Sequence, residues 1–348
     1  MSKISKSPSS AATTMAVAAA ATAVTAASAA AAEAEDEFLE GLRSEDEDAN
    51  YEAWSSAADM DASVIPAVSK LLTAKQMNVR KAAEESLKNL VHSVGKTIDP
   101  RSLGANTGRP DDPGRMDRRQ QVVAQLRSIL DGKGQLTEKV TALRHLSLIA
   151  TTDDVDAIAG HIHDPELREE VAFCLERIPG KVSEEALLSA LPSAAEDFKP
   201  RILAALGHRR ADEAVAACTE AMGSADPVIA IAGMKAWGRI GTSTGSDPVF
   251  PERDSLTEWQ GIEFDDSMLR YADAQVEKGN ADEAASIYLE ALDREEEHLQ
   301  CAAIIGLANI GTAETAAAIF PKLDSDSNTV RVTARKVWAA LASSGGEG

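Results

Sequence analysis

From about residue 60 onward the apolar residues recur with helical spacing, and no window sustains the strict alternation of a half-buried strand. The pattern also repeats itself. Val79, Leu167, Phe198, Ile229, Leu299 and Val330 each open the apolar stripe of one helix. Eight residues on, two turns along the same face, stand Leu87, Leu175, Leu206, Trp237, Leu307 and Trp338. Eleven residues on are Leu90, Ile178, Arg209, Ile240, Ile310 and Leu341, so only Arg209 breaks the stripe. The steps from 167 to 198, from 198 to 229 and from 299 to 330 are 31 residues each. Shortly before the anchors, Leu72, Ile162, Leu191, Met222, Leu292 and Leu323 close an earlier apolar helix. Each unit therefore reads as two helices joined by a short turn. Asp164-Pro165 and Asp226-Pro227 have the chemistry of an N-cap followed by proline at the first helical position. A lone hairpin of this kind cannot bury its apolar face, so neighbours must stack. The fold expected is all-α: an α-solenoid of about six or seven antiparallel helical hairpins.

The segments "NVRKAAEESLKNL" at 78–90, "ELREEVAFCLERIPG" at 166–180, "VIAIAGMKAWGRIG" at 228–241 and "NTVRVTARKVWAAL" at 328–341 resemble the short bacterial type of HEAT repeat. With a less regular unit around "TEKVTALRHLSLIA" at 137–150, the resemblance spans roughly 60–95 and 117–341. It implies a right-handed superhelix whose second helices line a concave face. "GNADEAASIYLEAL" at 279–292 is also similar to the second half of a tetratricopeptide motif, through Gly279, Ala284, Tyr288 and Ala291. Either label implies the same helical hairpin.

Two stretches interrupt the grid. Residues 96–116 hold three prolines and three glycines and read as a loop. The step from Ile229 to Leu299 leaves room for an insert at 242–265, which carries Phe250, Trp259 and Phe264 in a chain with only 4% aromatics. These rings either plug a seam between two subsets of repeats or form a binding loop. The chain thus divides into an Ala-rich leader (1–34), an acidic linker (35–50), a first hairpin (51–95), the Pro/Gly loop (96–116), HEAT-like repeats (117–241), the insert (242–265) and C-terminal HEAT- and tetratricopeptide-like repeats (266–343).

In the leader, residues 11–32 are uncharged and 14 of them are Ala, with A-x-A patterns at Ala30–Ala32 and Ala32–Ala34. This fits a secretory signal peptide or a disordered tail, and an organelle transit peptide is a lesser alternative. Without Leu, Ile or Phe the stretch makes a feeble membrane span. If the leader is cleaved the protein is periplasmic or secreted; otherwise it is cytoplasmic. Nine acidic residues between 33 and 48, against the single Arg43, suggest a solvated linker or a helical cap of low stability.

The whole chain has 35 Lys and Arg against 56 Asp and Glu, a formal charge of -21. That disfavours a nucleic-acid partner, since affinity for phosphate backbones comes from basic side chains that release counterions. Cys174, Cys218 and Cys301 form no close pair and read as three small buried thiols. There is no GxSxG elbow, P-loop, GxGxxG after a strand or HExxH, and no catalytic or cofactor-binding residue is assigned. His161 and His163 point about 200° apart on a helix, so they do not readily grip one metal. Arg80, Arg168, Lys199, Gln300 and Arg331 occupy one column after the anchors. By resemblance to HEAT families, this column implies pairing with acidic turn residues, with Asp164 expected opposite Arg168. Arg109, Arg115, Arg118 and Arg119 form one basic cluster and His208-Arg209-Arg210 another, both read as local charge balance.

The function expected is a non-catalytic scaffold whose concave face binds a protein or peptide, with no cofactor. Candidate partner contacts are Phe250, Trp259, Phe264, Arg209 and Arg210. Alternatives are an enzyme on the same scaffold resembling the phycobilin lyases, or a passive component of an envelope assembly; resemblance to the HEAT-like DNA glycosylases is disfavoured by the acidic balance. Oligomeric state is left open. Gly233, Gly238 and Gly306 fall inside helices, where each costs roughly 1 kcal/mol relative to Ala, and imply close helix approach.

Overall fold

The computed structural model describes residues 28–95, 113–242 and 253–344, and every regular element among them is helical. The chain divides into two compact units, Met1–Ala150 and Thr151–Gly348. Among the described residues no helix is long and apolar enough to cross a membrane.

The first unit contains α1 (28–43), α2 (Glu47–Ser56), α3 (Ile65–Leu71), α4 (Met77–Ser93), α5 (Pro113–Asp131) and α6 (Leu136–Ile149). Helices α3 and α4 pack as a hairpin, as do α5 and α6, while α2 lies against α4. Residues 35–50, expected as an acidic linker or a helical cap, lie mostly within α1 and α2, so the linker reading does not hold. The charge run masked an apolar face: Phe38, Leu39 and Leu42 are buried, Asp46 caps α2, and the Asn50 amide donates to the Leu42 carbonyl at 2.9 Å. The expected loop at 96–116 is also shorter than its composition implied, because α5 begins at Pro113. Proline lacks only an N–H that a first helical position leaves unpaired anyway. Residues 96–112 lie outside the described residues, as do 1–27 of the leader, whereas the candidate cleavage patterns at 30–34 fall in the first turns of α1.

The second unit contains α7 (Val155–Ala159), α8 (Arg168–Arg177), α9 (Lys181–Ala190), α10 (Lys199–Arg209), α11 (Val215–Met222), α12 (Pro227–Ile240), α13 (Glu258–Lys278), α14 (Ala281–Leu292), α15 (Glu297–Ile310), α16 (Ala313–Ile319) and α17 (Asn328–Ser344). Hairpins form from α7 with α8, α9 with α10, α11 with α12, α14 with α15 and α16 with α17. Their second helices form a continuous row, α8 on α10, α10 on α12, α12 on α13, α13 on α15 and α15 on α17. This is a HEAT-like α-solenoid arrangement, built by the side-by-side stacking that the 31-residue stripe requires. All six anchors are buried, and so are Leu87, Leu175, Leu206, Trp237 and Leu307 eight residues later.

Asp226 caps α12 by accepting from the Val228 N–H at 2.8 Å with Pro227 following, as the sequence implied. Asp164 instead accepts from Glu166 N–H at 2.9 Å and caps the turn ahead of α8. The insert is corrected too: α13 starts at Glu258, so Trp259 and Phe264 sit on a helix, while 243–252, with Phe250, lie outside the described residues. A Thr257–Gln260 capping box starts that helix. Helix α13 takes the place of a second helix in the row, and Tyr271 stacks on Trp237 of α12 with ring centroids 4.2 Å apart.

Candidate binding groove

Most of the cationic side chains read from the sequence have structural work. Helices leave their last carbonyls without intrahelical partners, and neighbouring cations satisfy them here. Arg118 donates to the carbonyls of Ala58 and Met60, and Arg119 to that of Ile149. The Arg115 side chain and Arg109 lie outside the described residues. Arg80 donates to the carbonyls of Ala74 and Lys75, Gln300 to that of Arg294, and Arg331 to that of Ser325, all in the turn before their own helix. Arg168 pairs with Asp197 of the next repeat at 2.6 Å rather than with Asp164. The column therefore serves turns and seams.

Arg209 requires a correction. Expected as a partner contact, it is 5% exposed and points into the seam between α8 and α10. Its guanidinium donates to the carbonyls of Leu175, Glu176, Ile178 and Gly180 and pairs with Glu184 at 3.4 Å. A charge interrupts the apolar stripe at this position because it collects the orphan carbonyls at the end of α8. Phe264 is half-buried among Met268, Ile287 and Leu299, beside a small cavity of about 50 Å3. Trp259 is 46% exposed at the start of α13 and lines neither that cavity nor the groove described next.

Arg210 is differently placed. It follows the last residue of α10 in the left-handed conformation, φ 53° and ψ 47°, at a position where α12, α13 and α15 carry Gly241, Gly279 and Gly311. Its side chain reaches Glu277 of α13 and lines a groove of about 590 Å3 along the second-helix row. Gly207, His208, Arg239, Arg270, Asp273, Val276, Tyr288, Ile305 and Asn309 line it as well. His208, Arg239 and Asn309 all stand ten residues after an anchor, one position short of the buried stripe, which turns them toward the groove.

The carboxylates around the groove are engaged. Glu176 pairs with Arg201 at 2.9 Å and His208 at 3.0 Å, Glu263 with Lys235 at 2.6 Å, and Asp266 with Arg270 at 2.8 Å. Asp273 accepts from the Tyr288 hydroxyl at 2.6 Å, and burial together with that bond pushes the phenol pKa up. Arg239 has no ion-pair or hydrogen-bond partner among the described residues. Burial and the neighbouring Arg270 hold its pKa below the usual guanidinium value, against the opposing pull of Asp266, Glu176 and Glu263.

Other chemistry is sparse. Cys174 and Cys218 are buried, and burial pushes both thiols up, Cys218 to about 12; Cys301 is half-buried rather than buried as expected. Among the described residues no group of three or more His, Cys, Asp or Glu is arranged to hold a metal ion. Sequence reasoning missed Arg239, Arg270, Ile305 and Asn309. For Arg239 and Asn309 the available signal was the polar column ten residues past the anchors; Arg270 and Ile305 lie outside that column.

No protein-family model and no curated protein matches the sequence. Among solved structures, the chain is similar to human deoxyhypusine hydroxylase in complex with glycerol, with 17% identity, 66% of this chain and 99% of that one covered, and a TM-score of 0.35. It is similar to an engineered protein at 18% identity, covering 89% of each chain, with a TM-score of 0.35. Importin beta is similar at 12% identity over 89% of this chain and 49% of that one, with a TM-score of 0.49. What defines the architecture of this chain is its own helix pairing.

Proposed function

We propose that the protein is a non-catalytic scaffold that binds a protein segment or peptide in the groove of its second unit. The observation that carries this is Arg210. A non-glycine residue in the left-handed region costs roughly 1–2 kcal/mol, and the Arg210–Glu277 pair, about half exposed on both sides, returns at most about 1 kcal/mol. Glycine would terminate α10 at lower cost, as it does α12, α13 and α15. An arginine kept there is better explained by what its side chain offers to the groove. Ile305, 49% exposed and lining the same groove as Val276, adds apolar surface that a partner side chain would cover. The pairing of Glu176, Glu263 and Asp266 with cations, and the burial of the Cys174 and Cys218 thiols, leave these groups unsuited to nucleophilic or acid–base work and favour binding over chemistry.

Peptides selected from a randomised display library on the full chain test this reading. Ile305→Glu should weaken the selected peptides at least tenfold while leaving the thermal melt unchanged, because the side chain is half exposed. Selected peptides indifferent to Ile305→Glu, or a library that yields no binder, would refute groove binding.

A further inference from the structure

Arg239 lines the groove without an ion-pair or hydrogen-bond partner among the described residues, although Asp266, Glu176 and Glu263 act on it at longer range. It is half-buried in the middle of the row, between α10 and α13, and each carboxylate near it already serves another group: Glu176, Glu263 and Asp266 are ion-paired and Asp273 accepts from Tyr288. Of the other arginines lining the groove, Arg210 pairs with Glu277 of α13 and Arg270 with Asp266 on its own helix. Moving a guanidinium partly out of water without a partner is unfavourable, and a second cation nearby makes it more so. An oxyanion offsets both, and the planar guanidinium fork suits a carboxylate or a phosphate equally.

We propose that the groove recognises an anionic side chain on a bound peptide, received by Arg239 with Arg270 and Arg210 flanking it. This rests on the groove-binding reading above and adds the chemical class of the ligand. The apolar surface of Val276 and Ile305 and the amide of Asn309 lie along the same groove and fit the remainder of an extended segment. The chain's net charge of -21 disfavours anions at long range, so the recognition is local and selective for a peptide that places its charge at Arg239.

The test uses three fluorescein-labelled heptapeptide pools with Ala, Ser and Leu at the outer positions and Glu, phosphoserine or Gln fixed at the centre, titrated against the full chain by anisotropy. The Glu or phosphoserine pool should bind at least tenfold tighter than the Gln pool; whichever of the two gains more identifies carboxylate or phosphate as the preferred source. Arg239→Gln should abolish that preference with little change in melting temperature, since no hydrogen bond or ion pair among the described residues depends on that guanidinium. Arg239→Lys, which keeps charge but not the fork, should retain part of it. Anionic pools no tighter than the Gln pool, or a preference that survives Arg239→Gln, overturns the proposal. If the Gln pool binds equally well and is displaced by Ile305→Glu, peptide binding stands and only the anion claim falls. If no pool binds, both fall.

Discussion

Gly233 lies in the middle of α12, where alanine would form the helix better by about 1 kcal/mol. The packing opposes that preference. A Cβ on Gly233 would stand 2.7 Å from the Cys218 carbonyl oxygen, 2.8 Å from the Ala221 Cβ and 3.0 Å from the Met222 nitrogen. Two of these atoms are backbone of α11, so relief requires the hairpin to open. Overpacking of this kind costs roughly 1–3 kcal/mol. Taking about 2 kcal/mol for the clash and about 1 kcal/mol for the propensity gain, Gly233→Ala should lower stability by about 1 kcal/mol. In a unit of this size that lowers the melting temperature by roughly 2–4 °C. Circular dichroism at 222 nm, followed through thermal and urea unfolding, reads the effect. Gly233→Leu should cost more. Ala221→Gly in the Gly233→Ala background should recover only part of the loss, because the Cys218 carbonyl stays in place. If Gly233→Ala melts at or above the parent temperature, helix propensity has won and α11 and α12 are not in close approach.

Two further outcomes follow from ionisable groups held wholly or partly out of water. Arg209→Met keeps apolar bulk but strips four carbonyls of their donor and leaves Glu184, 4% exposed, without the guanidinium. It should destabilise by about 3–5 kcal/mol in urea titrations, with Arg209→Lys recovering only a fraction; a change under about 1 kcal/mol would contradict the capping role. His145 in α6 has its pKa lowered from 6.5 to about 4 by burial and by nearby His92. Between those values the unfolded chain binds the proton and the folded chain does not. Stability is therefore full above pH 6.5 and declines as pH falls toward 4, with a slope of at most about 1.4 kcal/mol per pH unit. His145→Gln should flatten that slope in urea midpoints measured across this range; an unchanged slope would assign it to other groups.

Apolar periodicity made the hairpins legible because an amphipathic helix must place its buried residues at 3.6-residue spacing whatever it packs against. The same logic exposed Gly233, since a helix keeps an unfavourable glycine only for close approach. Charge was a poorer guide. The acidic run at 35–50 concealed Phe38 and Leu42, whose i, i+4 spacing is a short stripe easily missed among eight carboxylates. Arg209 and Arg210 are adjacent and identical in composition, yet one caps the carbonyls of α8 from inside a seam and the other faces a groove. One residue of helical rotation and a left-handed backbone separate those fates, and neither is written in residue type.

The sequence by itself determined that this chain is a stack of two-helix units, because burial of each stripe demands a neighbour of matching period. Tertiary structure alone decided which charges neutralise one another. Ion pairs such as Arg168–Asp197 and Arg210–Glu277 join residues 29 and 67 positions apart, and their pairing depends on helix approach across repeats. Only once those partners are fixed does Arg239 stand out, among the described residues lining the groove, as a guanidinium without an ion-pair or hydrogen-bond partner.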